Sequence, residues 1–113
     1  MQPGDIYWVK YPQLDGREQA GERPSIVLQD DGGPLRSPLV LAIPLTTTPL
    51  GNRFPGVVFI PADPANGLPL DSYAMVFQLR ATDRRRFLGR IGTLAPAILA
   101  RIYAALDQLT GHP

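Results

Sequence analysis

The 113-residue sequence contains no cysteine, one histidine and one tryptophan. Without cysteine there is no disulfide, no thiol nucleophile and no thiolate metal ligand. The histidine, His112, lies beyond the last helical pattern, so chemistry near neutral pH has to proceed without a fixed imidazole. That removes most hydrolase designs, a small metallohydrolase among them, and no metal or cofactor is expected. Lysine is nearly absent too. Of eleven basic residues only Lys10 is not arginine, the side chain whose planar fork suits phosphate oxygens and stacks on bases. A GC-rich coding sequence gives the same excess, so composition alone does not decide its meaning.

Long apolar runs are missing as well. The longest, residues 38–45, is far too short to span a bilayer. The opening Met1-Gln2-Pro3-Gly4-Asp5 has neither the basic nor the apolar region of a secretory signal, so a cytoplasmic protein without a membrane partner is expected. The formal net charge is only +1, and 44% hydrophobic with 19% charged residues describes an ordered globular chain rather than a disordered one. A chain of this length supports one core, and residues 1–113 are read as one domain.

What is plentiful is punctuation. Thirteen prolines and eleven glycines cut the chain into short segments, most with β patterning. Strands are predicted over 6–11, 24–29, 39–45, 57–60, 73–79 and 88–91, about six in all, which suits a small barrel or sandwich. Full closure would leave no exposed edge. The tail changes period: Ile98, Leu99, Ile102, Ala105, Leu106 and Leu109 recur at helical spacing, with Pro96 fit for a first turn and Gly111 placed to end the helix. Two polar loops, 13–22 and 29–37, are long enough to carry function.

Three stretches carry candidate chemistry. Residues Asp15 to Pro24 hold carboxylates and guanidinium groups at one strand entrance, although charged glycine-containing loops are ordinarily solvated turns. In Pro44-Leu45-Thr46-Thr47-Thr48-Pro49 an apolar strand ends in three hydroxyls; threonine favours strands in any case, yet a hydroxyl at a strand end can donate to a phosphoryl oxygen. In the third, Asn66-Gly67 signals a turn, and period two sets Gln78 and Arg80 on one strand face ahead of Arg84-Arg85-Arg86. Such clustered arginines either form a solvated edge that discourages sheet aggregation or meet RNA phosphate.

The order of these motifs resembles the MazF/PemK toxin family. The resemblance rests on Gly4-Asp5-Ile6-Tyr7-Trp8-Val9, Glu18-Gln19-Ala20-Gly21-Glu22-Arg23-Pro24, Pro44-Leu45-Thr46-Thr47, Gly67-Leu68 with Asp71-Ser72, and Gln78-Leu79-Arg80-Ala81-Thr82-Asp83 followed by Arg86. It runs from Gly4 to the C-terminal helix. It implies a mainly β fold with α: a small SH3-like β-barrel with a C-terminal amphipathic helix, dimerising so that single-stranded RNA binds in a groove at the interface. It also implies cleavage of that RNA at short sequences and silencing by an acidic, partly disordered antitoxin.

Carried over residue by residue, the resemblance makes Arg23 and a threonine, Thr46 or the adjacent Thr47, catalytic, with Glu18 supporting them. RNA supplies its own nucleophile, the 2′-hydroxyl, so the protein has only to move protons and stabilise charge. Glu18 is then the base, Arg23 the charge stabiliser and a proton donor through solvent, and Thr46 a donor to a non-bridging oxygen, with no metal. Gln19, Thr47, Phe77, Gln78, Arg80, Arg84 and Arg86 are the expected RNA-binding residues. Two departures stand out. Where some relatives carry an acid before the glutamine this chain has Phe77, which can stack on a base instead, and its first long loop lacks the histidine some relatives place there. Tyr73, Met75 and the outer side of the helix are candidates for dimer contacts. The rival readings are a non-catalytic toxin on the same fold that binds a protein such as DNA gyrase, and a barrel that binds RNA through Phe77, Arg80, Arg84 and Arg85 without cutting it.

Overall fold

A computed structural model describes residues 1–12, 21–30, 37–49 and 56–112. Seven strands are followed by one helix: β1 (Asp5–Tyr11), β2 (Gly21–Val27), β3 (Leu39–Thr46), β4 (Val57–Ile60), β5 (Ser72–Met75), β6 (Arg80–Asp83), β7 (Phe87–Thr93) and α1 (Pro96–Thr110). All pairings are antiparallel, in the order β4-β5-β3-β2-β1-β7, with β6 also paired to β3. The sheet curls as the small mainly β fold with a C-terminal helix that the sequence predicts. It does not close among the described residues, since β4 and β7 are its two ends.

β3 organises the sheet. Its first half pairs with β6 from Leu39↔Asp83 to Ala42↔Arg80, and its end pairs with β5 at Leu45↔Ala74 and Thr46↔Tyr73. The two partners are consecutive pieces of chain separated by a 3-10 turn, Val76–Gln78, closed by the Leu79 N–H donating to the Val76 carbonyl at 3.0 Å. The single strand predicted over 73–79 is therefore β5 followed by a turn, with β6 starting only at Arg80, and Gln78 and Arg80 do not share a strand face. A run without glycine or proline carries no local mark of such a break, which goes with the change of partner along β3.

The core lies between the sheet and α1. Ile6, Ile26, Ile43 and Leu45 from β1, β2 and β3 meet Val58, Ile60, Ala74 and Val76, and Ile102 reaches them from the helix with no exposed surface. Alternation puts Val9, Tyr11, Val27, Val40 and Ala42, also buried, on the opposite parity, so these central strands are covered on both faces. Met75 is buried in this same chain, which corrects its assignment as a dimer contact. The helix ends match expectation: Pro96 opens the first turn, and Gly111, at φ 73°, closes the last. There His112 N–H donates to the Asp107 carbonyl and Gly111 N–H to that of Gln108, a Schellman arrangement.

The link from β4 to β5 is built around Asn66. Its side chain is 1% exposed; its Oδ1 accepts from the Asp63 and Leu68 N–H groups and its Nδ2 donates to the Pro61 carbonyl. The resulting turn presses on β7 so closely that a Cβ at Gly92 would sit 2.4 Å from the Ala65 carbonyl oxygen. Asp71 fastens the other end of the link by accepting from the Ala62 N–H at 2.8 Å.

Candidate active site

β2 and β3 are hydrogen-bonded only from Ser25↔Pro44 to Val27↔Ala42, although β2 begins at Gly21 and β3 runs on to Thr46. Continued two steps further, the register would set Arg23 opposite Thr46. The ladder stops short where Pro24 and Pro44, lacking N–H groups, remove its donors. In the gap a cleft of about 160 Å³ opens, lined by Trp8, Glu22, Arg23, Thr46, Thr47 and Ser72, with Pro24, Leu45 and Pro69 as its apolar wall.

The hydroxyls in this cleft are oriented. Thr46 is buried to 7% exposure, and its Oγ1 accepts from the Thr48 N–H at 3.2 Å, which leaves its own proton to donate elsewhere. Ser72 Oγ donates to the Leu70 carbonyl at 3.0 Å, so towards a ligand it offers lone pairs. One cleft thus brings together a guanidinium, a carboxylate, a hydroxyl donor, a hydroxyl acceptor and an exposed indole. Among the described residues no three His, Cys, Asp or Glu side chains come together as metal ligands would.

The sequence profile of the PemK-like, MazF-like toxins of type II toxin-antitoxin systems matches residues 2–110. The chain belongs to this family. It is 32% identical over 109 residues to the endoribonuclease toxin MazF of Escherichia coli K12, covering 96% of this chain and 92% of that one. The crystal structure of MazF (Form-I) from Deinococcus radiodurans superposes with a TM-score of 0.81 at 26% identity, over 98% of this chain and 96% of the other. A MazE-MazF structure (Form-II) from the same organism gives 0.76, also at 26% identity, over 100% and 97%.

Of the residues the sequence singles out, the toxin brings Arg23, Thr46 and Thr47 into this cleft, while Glu18 and Gln19 lie outside the described residues. Glu22, expected in a loop, stands on β2 and lines the cleft. Trp8, Glu22 and Ser72 were not among the predicted site residues. All three sit inside the strings that carry the family resemblance, and only the pairing of β1, β2 and β5 around β3 shows that they converge.

The expected RNA-binding residues divide. Phe77 and Gln78 sit in the 3-10 turn that packs on α1, away from the cleft lining. Arg80 lies over the Tyr11 ring, its Cζ 4.2 Å from the centroid, and with Arg86, Thr82 and Asp83 lines a second cleft of about 150 Å³. Tyr11 is buried, its hydroxyl 2.6 Å from Ser25 Oγ; desolvation raises its pKa above 10.0 against the opposing effects of Ser25 and Arg80. Arg84 is turned to the far end of β3, donating to the Ser37 carbonyl at 2.8 Å. Arg85 pairs with Asp83 at 2.8 Å, and this hydrogen bond, more than any other cause, holds the Asp83 carboxyl at about 2.

No described helix is long and apolar enough to cross a membrane.

Proposed function

We propose that this chain is a cytoplasmic endoribonuclease that cuts single-stranded RNA at short sequences without a metal ion, through attack of a ribose 2′-hydroxyl on the adjacent phosphodiester. The observation that carries the reading is the convergence of Arg23, Thr46 and Thr47 in one cleft where the β2–β3 ladder ends, on a member of a family whose Escherichia coli relative is named an endoribonuclease toxin.

In the reaction, Glu18 takes the proton of the 2′-hydroxyl and the 2′-oxygen bonds to phosphorus. Extra negative charge gathers on the non-bridging oxygens, where Arg23 supplies a fixed positive charge and Thr46 a hydrogen bond. Because the Thr46 hydroxyl already accepts from Thr48, its donor direction is set before substrate arrives and little reorganisation is needed. The P–O5′ bond then breaks, and the departing oxygen takes a proton from a water molecule held by Arg23. The guanidinium itself, with a pKa above about 12, is a poor acid. The products are a 2′,3′-cyclic phosphate and a 5′-hydroxyl. Arg80 and Arg86, in the second cleft, contact the RNA backbone beyond the cut, and Gln19, Thr47, Phe77, Gln78 and Arg84 complete the proposed binding set.

The working unit is a homodimer with the groove at its interface. Apolar side chains are available for that contact: Phe59 and Tyr73, whose ring centroids lie 5.3 Å apart, and the exposed Tyr103 and Leu109 of α1. An acidic antitoxin segment lies across the groove and competes with RNA for Arg23 and the Arg80 region.

The chemistry is tested by the scissile nucleotide. An RNA with a single 2′-deoxy substitution at a mapped cut site is expected to bind and remain intact, while the unmodified RNA yields a 5′-hydroxyl fragment. Cutting of the deoxy substrate, or a 5′-phosphate product, overturns the 2′-hydroxyl mechanism.

A further inference from the structure

We infer that Trp8 is the platform on which a nucleobase next to the scissile phosphate stacks, a substrate-binding residue of the proposed RNA site; the inference rests on the ribonuclease reading. Trp8 is the only tryptophan in the chain and stands at the middle of β1, 39% exposed, in the lining of the cleft that holds Arg23, Thr46, Thr47 and Ser72. Its cross-strand neighbours are Pro24 on β2 and Gly89 on β7. Gly89 has no side chain, and a Cβ placed there would meet nothing within 4 Å, so the residue directly opposite Trp8 on β7 leaves open space.

The strand is also irregular at this point. The β1–β7 register shifts between Trp8 and Val9, a bulge of the kind that re-aims side chains beside binding sites. Two other aromatic pairs are engaged with each other, Phe59 with Tyr73 and Tyr7 with Phe87 at 5.9 Å, while the exposed Phe77 and Tyr103 lie outside the cleft lining. Among the described residues Trp8 has no aromatic or cationic partner, and its indole N–H makes no hydrogen bond. Phe77, which the sequence offers as the stacking residue, does not line this cleft. The occupant is identified by position: a phosphodiester held by Arg23 and Thr46 carries its base within a nucleotide's reach, and an indole face receives any base.

Because no other tryptophan is present, the emission of the intact protein reports on this site alone. The probe is a short oligonucleotide containing a mapped cut sequence, 2′-deoxy at the scissile nucleotide and fluorescein-labelled for anisotropy. Saturable quenching of Trp8 emission is expected at the Kd that anisotropy gives. W8A is expected to weaken probe binding and raise KM on cleavable RNA by roughly 10- to 100-fold, with kcat changed much less. W8F is expected to restore KM to within about threefold of wild type. An abasic substitution at the stacked position should weaken wild type by a similar factor and W8A hardly at all.

Unchanged emission at saturating probe, or a W8A or W8F protein whose KM does not follow this order, overturns the role of Trp8 while leaving cleavage by the wild type intact. Emission that depends on protein concentration in the absence of RNA, and not on the probe, assigns the indole to a contact between two copies and overturns the proposal as well. A wild type that cuts no RNA brings down the ribonuclease reading and this inference together.

Discussion

The backbone N–H of Thr48 donates to the side-chain oxygen of Thr46 at 3.2 Å, and this one bond turns a β-favouring residue into an aimed donor. A valine at position 46 keeps the strand and the shape but loses the hydroxyl. T46V is expected to fold with near wild-type stability and to lower kcat by on the order of 10²-fold, the scale of losing one donor to a developing oxyanion. T47V, at an exposed position that accepts no such bond, is expected to lower it less. Parallel single-turnover rates and thermal melts decide this, and equal losses at the two positions would contradict the assignment of Thr46.

The buried Asn66 side chain makes three hydrogen bonds inside the β4–β5 link, and its own N–H donates to Asp63 Oδ1 at 2.7 Å. Asn66→Ala is expected to cost about 2 kcal/mol of stability by orphaning the buried Leu68 N–H and the part-buried Asp63 N–H and Pro61 carbonyl. Gly92→Ala, which drives a methyl into the Ala65 carbonyl, is expected to cost about 2 kcal/mol. Urea denaturation would measure both. A loss below about 0.5 kcal/mol in either would show that the turn relaxes freely.

Tyr11 sets an alkaline limit. Burial raises its pKa in the folded state above the 10.0 of an unfolded chain, so above pH 10 the unfolded state releases a proton that the folded state retains. Stability from this residue is therefore whole below pH 10 and falls as pH rises beyond it. Tyr11→Phe is expected to lower stability at pH 8, through loss of the bond to Ser25, yet to flatten the decline between pH 10 and 11. A decline of the same slope in both proteins would assign the effect to the other tyrosines.

Asp83 behaves in the opposite sense. Its carboxyl, held at about 2 by the Arg85 side chain and backbone N–H, contributes above the unfolded value of 3.8 and loses that contribution as pH falls towards 2. Carboxyl chemical shifts followed by NMR should titrate near 2 in the wild type and move back up towards 3.8 in Arg85→Ala. No movement would mean that the pair does not persist in solution.

Much of this structure is legible in the residue order. Alternation marks β1 and short apolar runs mark β3 and β4, while Pro96 and Gly111 bracket α1 to within a residue. What is not legible depends on partners distant in the chain. The run from Tyr73 to Leu79 breaks where its pairing with β3 gives way to that of β6, and no residue within the run says so. Likewise β2 begins at Gly21 rather than at Pro24, since Glu22 and Arg23 pair with Lys10 and Val9 across β1. The arginines show the limit most clearly. In sequence Arg80, Arg84, Arg85 and Arg86 form one basic cluster, but folding sends Arg80 over Tyr11, Arg84 to the Ser37 carbonyl and Arg85 to Asp83. Conversely, Trp8 reads as an ordinary strand aromatic until β2 and β3 part beside it. Arg23, Thr46 and Thr47 are recognised from their motifs, and the ending of the ladder between two prolines supplies the cleft in which they meet.

The measurement that bears most directly on the central claim is cleavage of a long unstructured RNA in EDTA by wild type beside Arg23→Ala, with the cut ends mapped. Cuts at a short recurring sequence that persist in EDTA and fall by 10²-fold or more, on the order of one lost oxyanion contact, in a folded Arg23→Ala protein are the predicted result. An Arg23→Ala protein that cuts at near the wild-type rate, or wild-type activity that disappears on chelation, would contradict it.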